Sequence, residues 1–336
     1  MKSALLFYQK IVADLKTVRF TINPYDPCVT NKMVNGHQMT ICWHVDDLLV
    51  GHKSSTVVTE TLDWFKDRYK TPDKPLAATR GKVHDQLGMN INFSQPGSIS
   101  FDMIPYIMKV SKSFLRRFRE WHHLPLQITS SRSELLLKPV SSQNNRPLPS
   151  ITQLLKSCFY LKSVSIYKRL WHSSLDEDDW GKLKRVLKYL NGTRRLKLTL
   201  LAKSLSILQW YVDASHQTHN NCSGPTGALL TLGAGAVTIS SNKQKITTKS
   251  STETELVAVH DKTGDILWTC HFLEAQGYTI QENIIFQDNM STLSLEKSGR
   301  TSSSKRTKHT KVKYFFIQHY HHTNKITLQY CHTDNM

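Results

Sequence analysis

The sequence predicts an α/β (α+β) chain built from more than one domain, and three observations carry that expectation. Its 336 residues exceed an average single domain, and 39% of them are hydrophobic, enough for packed cores. In the first hundred residues, short runs rich in β-branched and aromatic residues are punctuated by turn signals such as Asn35-Gly36. From Leu205 onward strand patterns and helical patterns alternate in the order β-β-β-α-β-α-β, the signature of a mixed sheet covered by helices.

Asn35-Gly36 suits a two-residue hairpin turn because both positions accept positive φ, which makes Val29 to Val34 and Gln38 to Val45 its strands. A second reversal is expected at Asp46-Asp47, with Leu48 to Gly51 returning as a strand. Ser55 to Tyr69 is an amphipathic helix, because Val58, Leu62, Phe65 and Tyr69 recur on one face. Gly81 to Met103 is expected to be one hairpin turning at Gln95-Pro96-Gly97, and Met103 to Phe118 a basic helix. Ser130 to Ser150 has linker composition. Helical order returns at 178–191, where Trp180, Leu183, Leu187 and Leu190 form a stripe closed by Gly192. Strands are expected at 206–213, 227–232 and 235–241, a long helix from Thr252 to about Gln276, and a buried-type strand at 283–287. The domain layout that follows is 1–125, a connecting region 126–204, and 205–336.

Lys and Arg number 44 against 26 acids, a formal charge of +18, and such an excess argues for a polyanionic partner. The longest nearly apolar run, around Ala228 to Val237, is about half of what a bilayer requires. The N-terminal apolar stretch is interrupted by Gln9, Lys10 and Asp14, which argues against a secretory signal. Six scattered cysteines without a CxxC pair fit reduced thiols in an intracellular protein of cytoplasm or nucleus.

Two sets of acids stand out. Asp46 and Asp47 fall at a hairpin tip, where carboxylates can reach a divalent cation or simply make a turn. Asp213 ends a strand in QWYVDASH, Glu255 opens a helix in SSTETELVAVH, and Asp288 ends a strand in IIFQDNMS. Strand ends and a neighbouring helix can bring such acids together at one sheet edge. The run RTSSSKRTKHTKVK joins six cations to hydroxyls with no acid. Arg300, Lys305, Arg306, Lys308, His309, Lys311 and Lys313 are its candidate phosphate contacts, against the alternative of a solvated loop. GPTGALLTLGAGA lacks the Gly-Lys-Ser/Thr of a phosphate loop and fits hairpin glycines. His319, His321, His322, Cys331 and His332 offer zinc-ligand types at no standard spacing.

ICWHVDDLLVG, with YDPCVTNKMVNG before it and RGKVHDQLGMNINF after it, resembles the reverse transcriptase palm of copia-type retrotransposon Pol polyproteins. DEDDWGKLKRVLKYLNGT resembles a later segment of the same family, and the Asp213, Glu255 and Asp288 segments resemble its RNase H domain. The resemblance implies a truncated palm/thumb-like region of an RNA-directed DNA polymerase, then an RNase H-like mixed-sheet domain. It implies a two-metal Mg²⁺ site, with Mn²⁺ as substitute, on Asp213, Glu255 and Asp288, and a polymerase-like metal site on Asp46 and Asp47. The implied nuclease partner is an RNA–DNA hybrid or duplex, whose RNA strand is hydrolysed. Lys308-His309 matches the family, whereas Thr310-Lys311 departs from it. The family's upstream palm aspartate would precede Met1, so polymerase activity is expected to be lost. The family's fourth RNase H acid would follow Met336, Asp334 does not match its position, and hydrolysis is expected to be impaired. A non-catalytic nucleic-acid-binding remnant is the alternative.

Overall fold

The structure, a computed structural model, describes residues 2–45, 47–70, 76–86, 88–112, 177–217, 223–298 and 311–336. In chain order its elements are α1 (Lys2–Thr17), β1 (Thr21–Ile22), β2 (Val29–Val34), β3 (His37–His44), β4 (Asp47–Gly51) and α2 (Ser55–Tyr69). There follow β5 (Val83–Gln86), β6 (Met89–Asn92), β7 (Ser98–Asp102), α3 (104–112), α4 (Glu177–Gly192) and β8 (Leu198–Ala202). The rest are β9 (Ile207–Ala214), β10 (Pro225–Thr231), β11 (Gly233–Ala234), β12 (Ala236–Lys243), α5 (Ser251–Ala275), β13 (Glu282–Gln287), α6 (Met290–Ser298), α7 (Lys311–His322) and β14 (Thr327–Tyr330). The expected linker 130–150 and the end of the helix expected to reach Phe118 lie outside the described residues. The chain divides into two compact units, one of residues 1–80, 204–232 and 241–336, the other of residues 81–203 and 233–240.

In the first unit, β1 to β4 form an antiparallel sheet in sequence order. Asn35 (φ 52) and Gly36 (φ 75) turn the first hairpin as their side chains allow. The second turn differs from expectation by one residue. His44 pairs with Asp47, so Asp47 already belongs to the returning strand and the turn begins at Val45. Burial of Met39, Ile41 and Trp43 on one face fixes that register, because a one-residue slip would turn all three outward. The consequence is Val45 at φ 58, a β-branched residue in the left-handed region. Helix α1, which the sequence reading did not anticipate, buries Ile11 and Leu15 against Ile41, Val57 and Phe65. Asp14 ties it to α2 by accepting from Arg68 and from the Tyr69 hydroxyl.

A further sheet, whose strands β9, β10, β13 and β14 lie in this unit, has the order β12-β10-β9-β13-β14. β9 pairs antiparallel with β10 but parallel with β13, which in turn runs parallel to β14. This is a mixed sheet, as expected for residues 205–336. Leu208, Trp210 and Val212 alternate into one core with Ile285, Leu328, and Val259 and Ile266 of α5. Ser250 caps α5 by accepting from the Glu253 N–H, and the Glu253 carboxylate accepts from the Lys249 N–H at 2.8 Å. On the outer side of α5, Trp268 Nε1 donates to Tyr25 O at 3.0 Å and Asn23 Nδ2 to Phe272 O at 3.2 Å.

The second unit carries an antiparallel sheet in the order β11-β8-β7-β6-β5. Residues 81–103 thus make three strands where one hairpin was expected, because Gly88 (φ 70) supplies a second left-handed turn between β5 and β6. Met103 and Ile107 pack with Leu190 of α4.

Two glycines give the packing a direct test. A Cβ on Gly224 would collide with the Ser215 carbonyl oxygen and press on Thr254, whereas one on Gly181 would meet nothing within 4 Å. Gly224→Ala is expected to lower stability by roughly 1–3 kcal/mol in denaturant titration. Gly181→Ala, on exposed helix surface, is expected to raise it by about 0.5–1 kcal/mol. Equal effects at the two positions would contradict this packing.

Candidate metal centre

Parallel pairing of β9 and β13 puts their C-terminal ends at the same sheet edge. Asp213 stands at the end of β9, and Asp288 directly follows β13. Helix α5 packs on β9 and β10 and sets Glu255, in its second turn, against the same edge. One carboxylate oxygen from each of the three lies within 4.8 Å of the others. The side chains differ in setting: Glu255 is buried, Asp288 intermediate and Asp213 exposed.

The crowding alters their acidity. Burial first, then the Asp213 charge, pushes Glu255 from 4.5 up to about 8, opposed by the Ala214 N–H that donates to its Oε1 at 3.2 Å. Asp213 also rises, through desolvation by the protein packed around it and repulsion by Asp288. Its accessible area does not contradict this direction, since a neighbouring charge acts even where water touches one side. Glu255 Oε2 is buried and has no hydrogen-bond partner. Three hard oxygen donors, one of them without a partner, fit a divalent cation of the Mg²⁺ or Mn²⁺ type. Glu253, two residues earlier, uses its carboxylate on the Lys249 backbone and leaves the metal-facing role to Glu255.

The remaining site expectations fall in different places. Asp46 lies outside the described residues; Asp47 is exposed at the start of β4 and is not among the three clustered acids. Arg300, Lys305, Arg306, Lys308 and His309 also lie outside them, while Lys311 and Lys313 begin α7. Asp334 sits on a one-turn 3₁₀ helix, its carboxylate 3.3 Å from His332 Nδ1 and apart from the cluster. The same turn reaches the site through Thr333, whose hydroxyl donates to Asp288 Oδ2 at 2.6 Å. Among the described residues, the His319 to His332 set forms no group with metal-binding proximity. Cys28, Cys42, Cys270 and Cys331 are free thiols.

Two features escaped the sequence reading. His216 Nδ1 lies 2.8 Å from the Thr254 hydroxyl and 3.3 Å from that of Thr248, bracing the loop after Asp213 against the start of α5. Nothing local in the sequence marks this pairing, since its members are 38 and 32 residues apart. Glu296 of α6 is 0% exposed, and neither carboxyl oxygen has a partner. Burial, then the Glu255 charge, holds it well above the ordinary range. Its position three residues after the buried Leu293 was a readable sign that it faces the core.

A pH dependence follows. Because Glu255 is raised from 4.5 to about 8 in the folded chain, the folded state binds more protons than the unfolded one across that interval. The contribution of Glu255 to metal-free stability is therefore full below pH 4.5 and is lost as pH rises toward about 8. Melting temperatures measured in chelator should decline through this window, and Glu255→Gln should flatten the decline. A wild-type melting temperature that rises from pH 5 to 8 would contradict the assignment.

No family model matches the chain. Along 93% of its length it is 24% identical to the Retrovirus-related Pol polyprotein from transposon TNT 1-94 of Nicotiana tabacum, of which it spans 24%. It is 29% identical over 79% of its length to a transposon Ty5-1 protein of Saccharomyces cerevisiae, covering 86% of that protein. Among solved structures, LC11-RNase H1 in complex with RNA/DNA hybrid matches 38% of this chain and 86% of its own at 12% identity and a TM-score of 0.30. That score leaves the fold to be read from the chain's own strand order. Matched over 79–93% of its length by these transposon proteins, the chain is similar to retrotransposon-related Pol polyproteins and spans only part of the longer ones.

Proposed function

We propose that residues 205–336 carry an RNase H-type nuclease of a copia-type element, which hydrolyses the RNA strand of an RNA–DNA hybrid with Mg²⁺. The convergence of Asp213, Glu255 and Asp288 within 4.8 Å from three separate elements carries this reading. A divalent cation supplies Lewis acidity toward the phosphoryl oxygens and the attacking water. The chain's own part is positional. Asp213 presents an accessible carboxylate, the Ala214 N–H fixes one oxygen of Glu255, and Thr333 fixes one oxygen of Asp288. Each side chain thus arrives with limited rotational freedom, which lowers the entropy lost on assembling the reactive geometry.

In the same reading, residues 1–125 derive from a polymerase palm, and 126–204 connect it to the nuclease. No polymerisation is expected of this part in the same reading. The basic run Arg300 to Lys313 serves the hybrid backbone, and the protein works inside the cell. Among the described residues no helix is long and apolar enough to cross a membrane. A second reading, a nucleic-acid binder without catalysis, is favoured by Asp334 standing apart from the cluster, which leaves three acids rather than four.

The deciding experiment is cleavage of end-labelled RNA annealed to DNA, with single-stranded RNA as control. The expected outcome is hybrid-specific, Mg²⁺- or Mn²⁺-dependent cutting that Asp213→Asn reduces at least a hundredfold while the far-UV spectrum is unchanged. Binding without cutting under either metal would establish the second reading instead. In primer extension with the same metals no product is expected, and extension that Asp47→Asn abolishes would overturn the assignment of the N-terminal part.

A further inference from the structure

Glu296 is a buried acid that the three-carboxylate cluster does not include. It is 0% exposed, and neither of its carboxyl oxygens has a hydrogen-bond partner. Packing sets its place. The Thr292 hydroxyl donates to the Thr252 carbonyl at 3.1 Å, which lays the start of α6 against the start of α5. Glu296 follows Thr292 by four residues and Glu255 follows Thr252 by three, so each lies one turn further along the contacting face of its helix. Glu255 arrives there with one oxygen engaged. Its Oε1 accepts from the Ala214 N–H, and its Oε2 is buried without a partner. Gln287 lies on the same face of β13 as Ile285, which packs in one core with Leu293 of α6. Both of its amide atoms are likewise buried and unpartnered.

Ordinary explanations of Glu296 fail. A buried carboxyl is usually offset by a cation, yet no donor, charged or neutral, lies within hydrogen-bonding distance of either oxygen. Attraction to a helix dipole would put an acid at the start of α6, whereas Glu296 is in its last turn, where negative charge is disfavoured. Leucine would fill similar space without a polar group to desolvate. What the position does supply is a neutral carboxyl, since burial, then the Glu255 charge, hold the proton on it. Such a group both donates and accepts, and the neighbouring acid has an oxygen that lacks a donor.

We propose that Glu296 is a positioning residue for the metal centre, holding the free oxygen of Glu255 through one ordered water between α5 and α6. Buried waters settle where several polar groups lack partners, and Glu296, Glu255 and Gln287 supply enough to satisfy one. With Oε1 held by the Ala214 N–H and Oε2 by this bridge, the Glu255 carboxylate keeps one orientation toward Asp213 and Asp288. Each carboxylate oxygen has two lone pairs, so the bridge leaves one for the cation. The inference rests on the metal-centre reading, and the experiment separates the two.

Mg²⁺ and Mn²⁺ affinities are measured by titration calorimetry on the full chain, unaltered and as Glu296→Gln, Glu296→Leu, Leu293→Val and Asp213→Asn. Circular dichroism checks each fold, and Glu296→Met repeats the test should leucine disturb it. Glutamine keeps a donor and an acceptor for the water, whereas leucine keeps only the volume. Glu296→Leu should weaken binding about tenfold, while Glu296→Gln stays within about twofold of the unaltered chain. Leu293→Val disturbs the core one turn away on the same helix. It should lower the melting temperature in chelator and leave affinity unchanged, which distinguishes positioning from packing. Unaltered affinity in Glu296→Leu overturns the proposal, as does an equal loss in Glu296→Gln or in Leu293→Val. The metal centre itself survives those outcomes as long as Asp213→Asn abolishes binding. Binding that persists in Asp213→Asn, or no saturable binding in the unaltered chain, overturns the metal centre and this proposal with it.

Discussion

Three carboxylates within 4.8 Å of each other repel, and the architecture of the mixed sheet keeps that repulsion from relaxing. Each acid comes from a different element, so moving one away would require shifting a strand end or a helix start that is packed elsewhere. β9 and β13 are held by parallel pairing from Ile207 to Tyr211, and α5 is pinned by its own buried residues Val257, Ala258 and Val259. The charge conflict appears instead as raised proton affinity at Asp213 and Glu255. A proton and a divalent cation then become alternative ways to satisfy the same oxygens.

The surroundings of the cluster support this exchange. His216, Thr248 and Thr254 brace the loop after Asp213, and Gly224 lets that loop pass close to the Ser215 carbonyl. Gln244 donates to the Thr226 hydroxyl at 3.0 Å and to the Thr254 backbone at 2.9 Å, joining β10 to the start of α5. Glu296 adds a buried carboxyl on α6 whose high proton affinity depends partly on the Glu255 charge. Removing that charge with a cation would therefore be felt one helix away.

Much of this was legible because period and punctuation are local signals. Ser55 to Tyr69 matched its helix residue for residue, and the long helix from Thr252 differed from α5 by a single residue at each end. Choosing Glu255 over Glu253 relied on family resemblance. The physical reason appears only in three dimensions, where Glu253 is engaged by the Lys249 N–H. Illegible features were those decided by distant partners. Val45, not an Asp, occupies the first loop position because the burial of Trp43 and Ile41 sets the register. The meander at 81–103 turned on Gly88, a single glycine outweighed in the reading by the stronger Gln95-Pro96-Gly97 signal. Helix α1 was not anticipated, although Ile11 and Leu15 are four apart and bury on one face.

The most direct test of this account is whether metal displaces protons at the cluster. Calorimetric titration of Mg²⁺ or Mn²⁺ near pH 7, in buffers of different ionisation enthalpy, reads the number of protons released on binding. With Glu255 raised to about 8, the account predicts saturable binding with net release of a substantial fraction of one proton per chain. It also predicts that this release disappears in Glu255→Gln. Saturable binding with no proton release, or a release that survives in that variant, would contradict it.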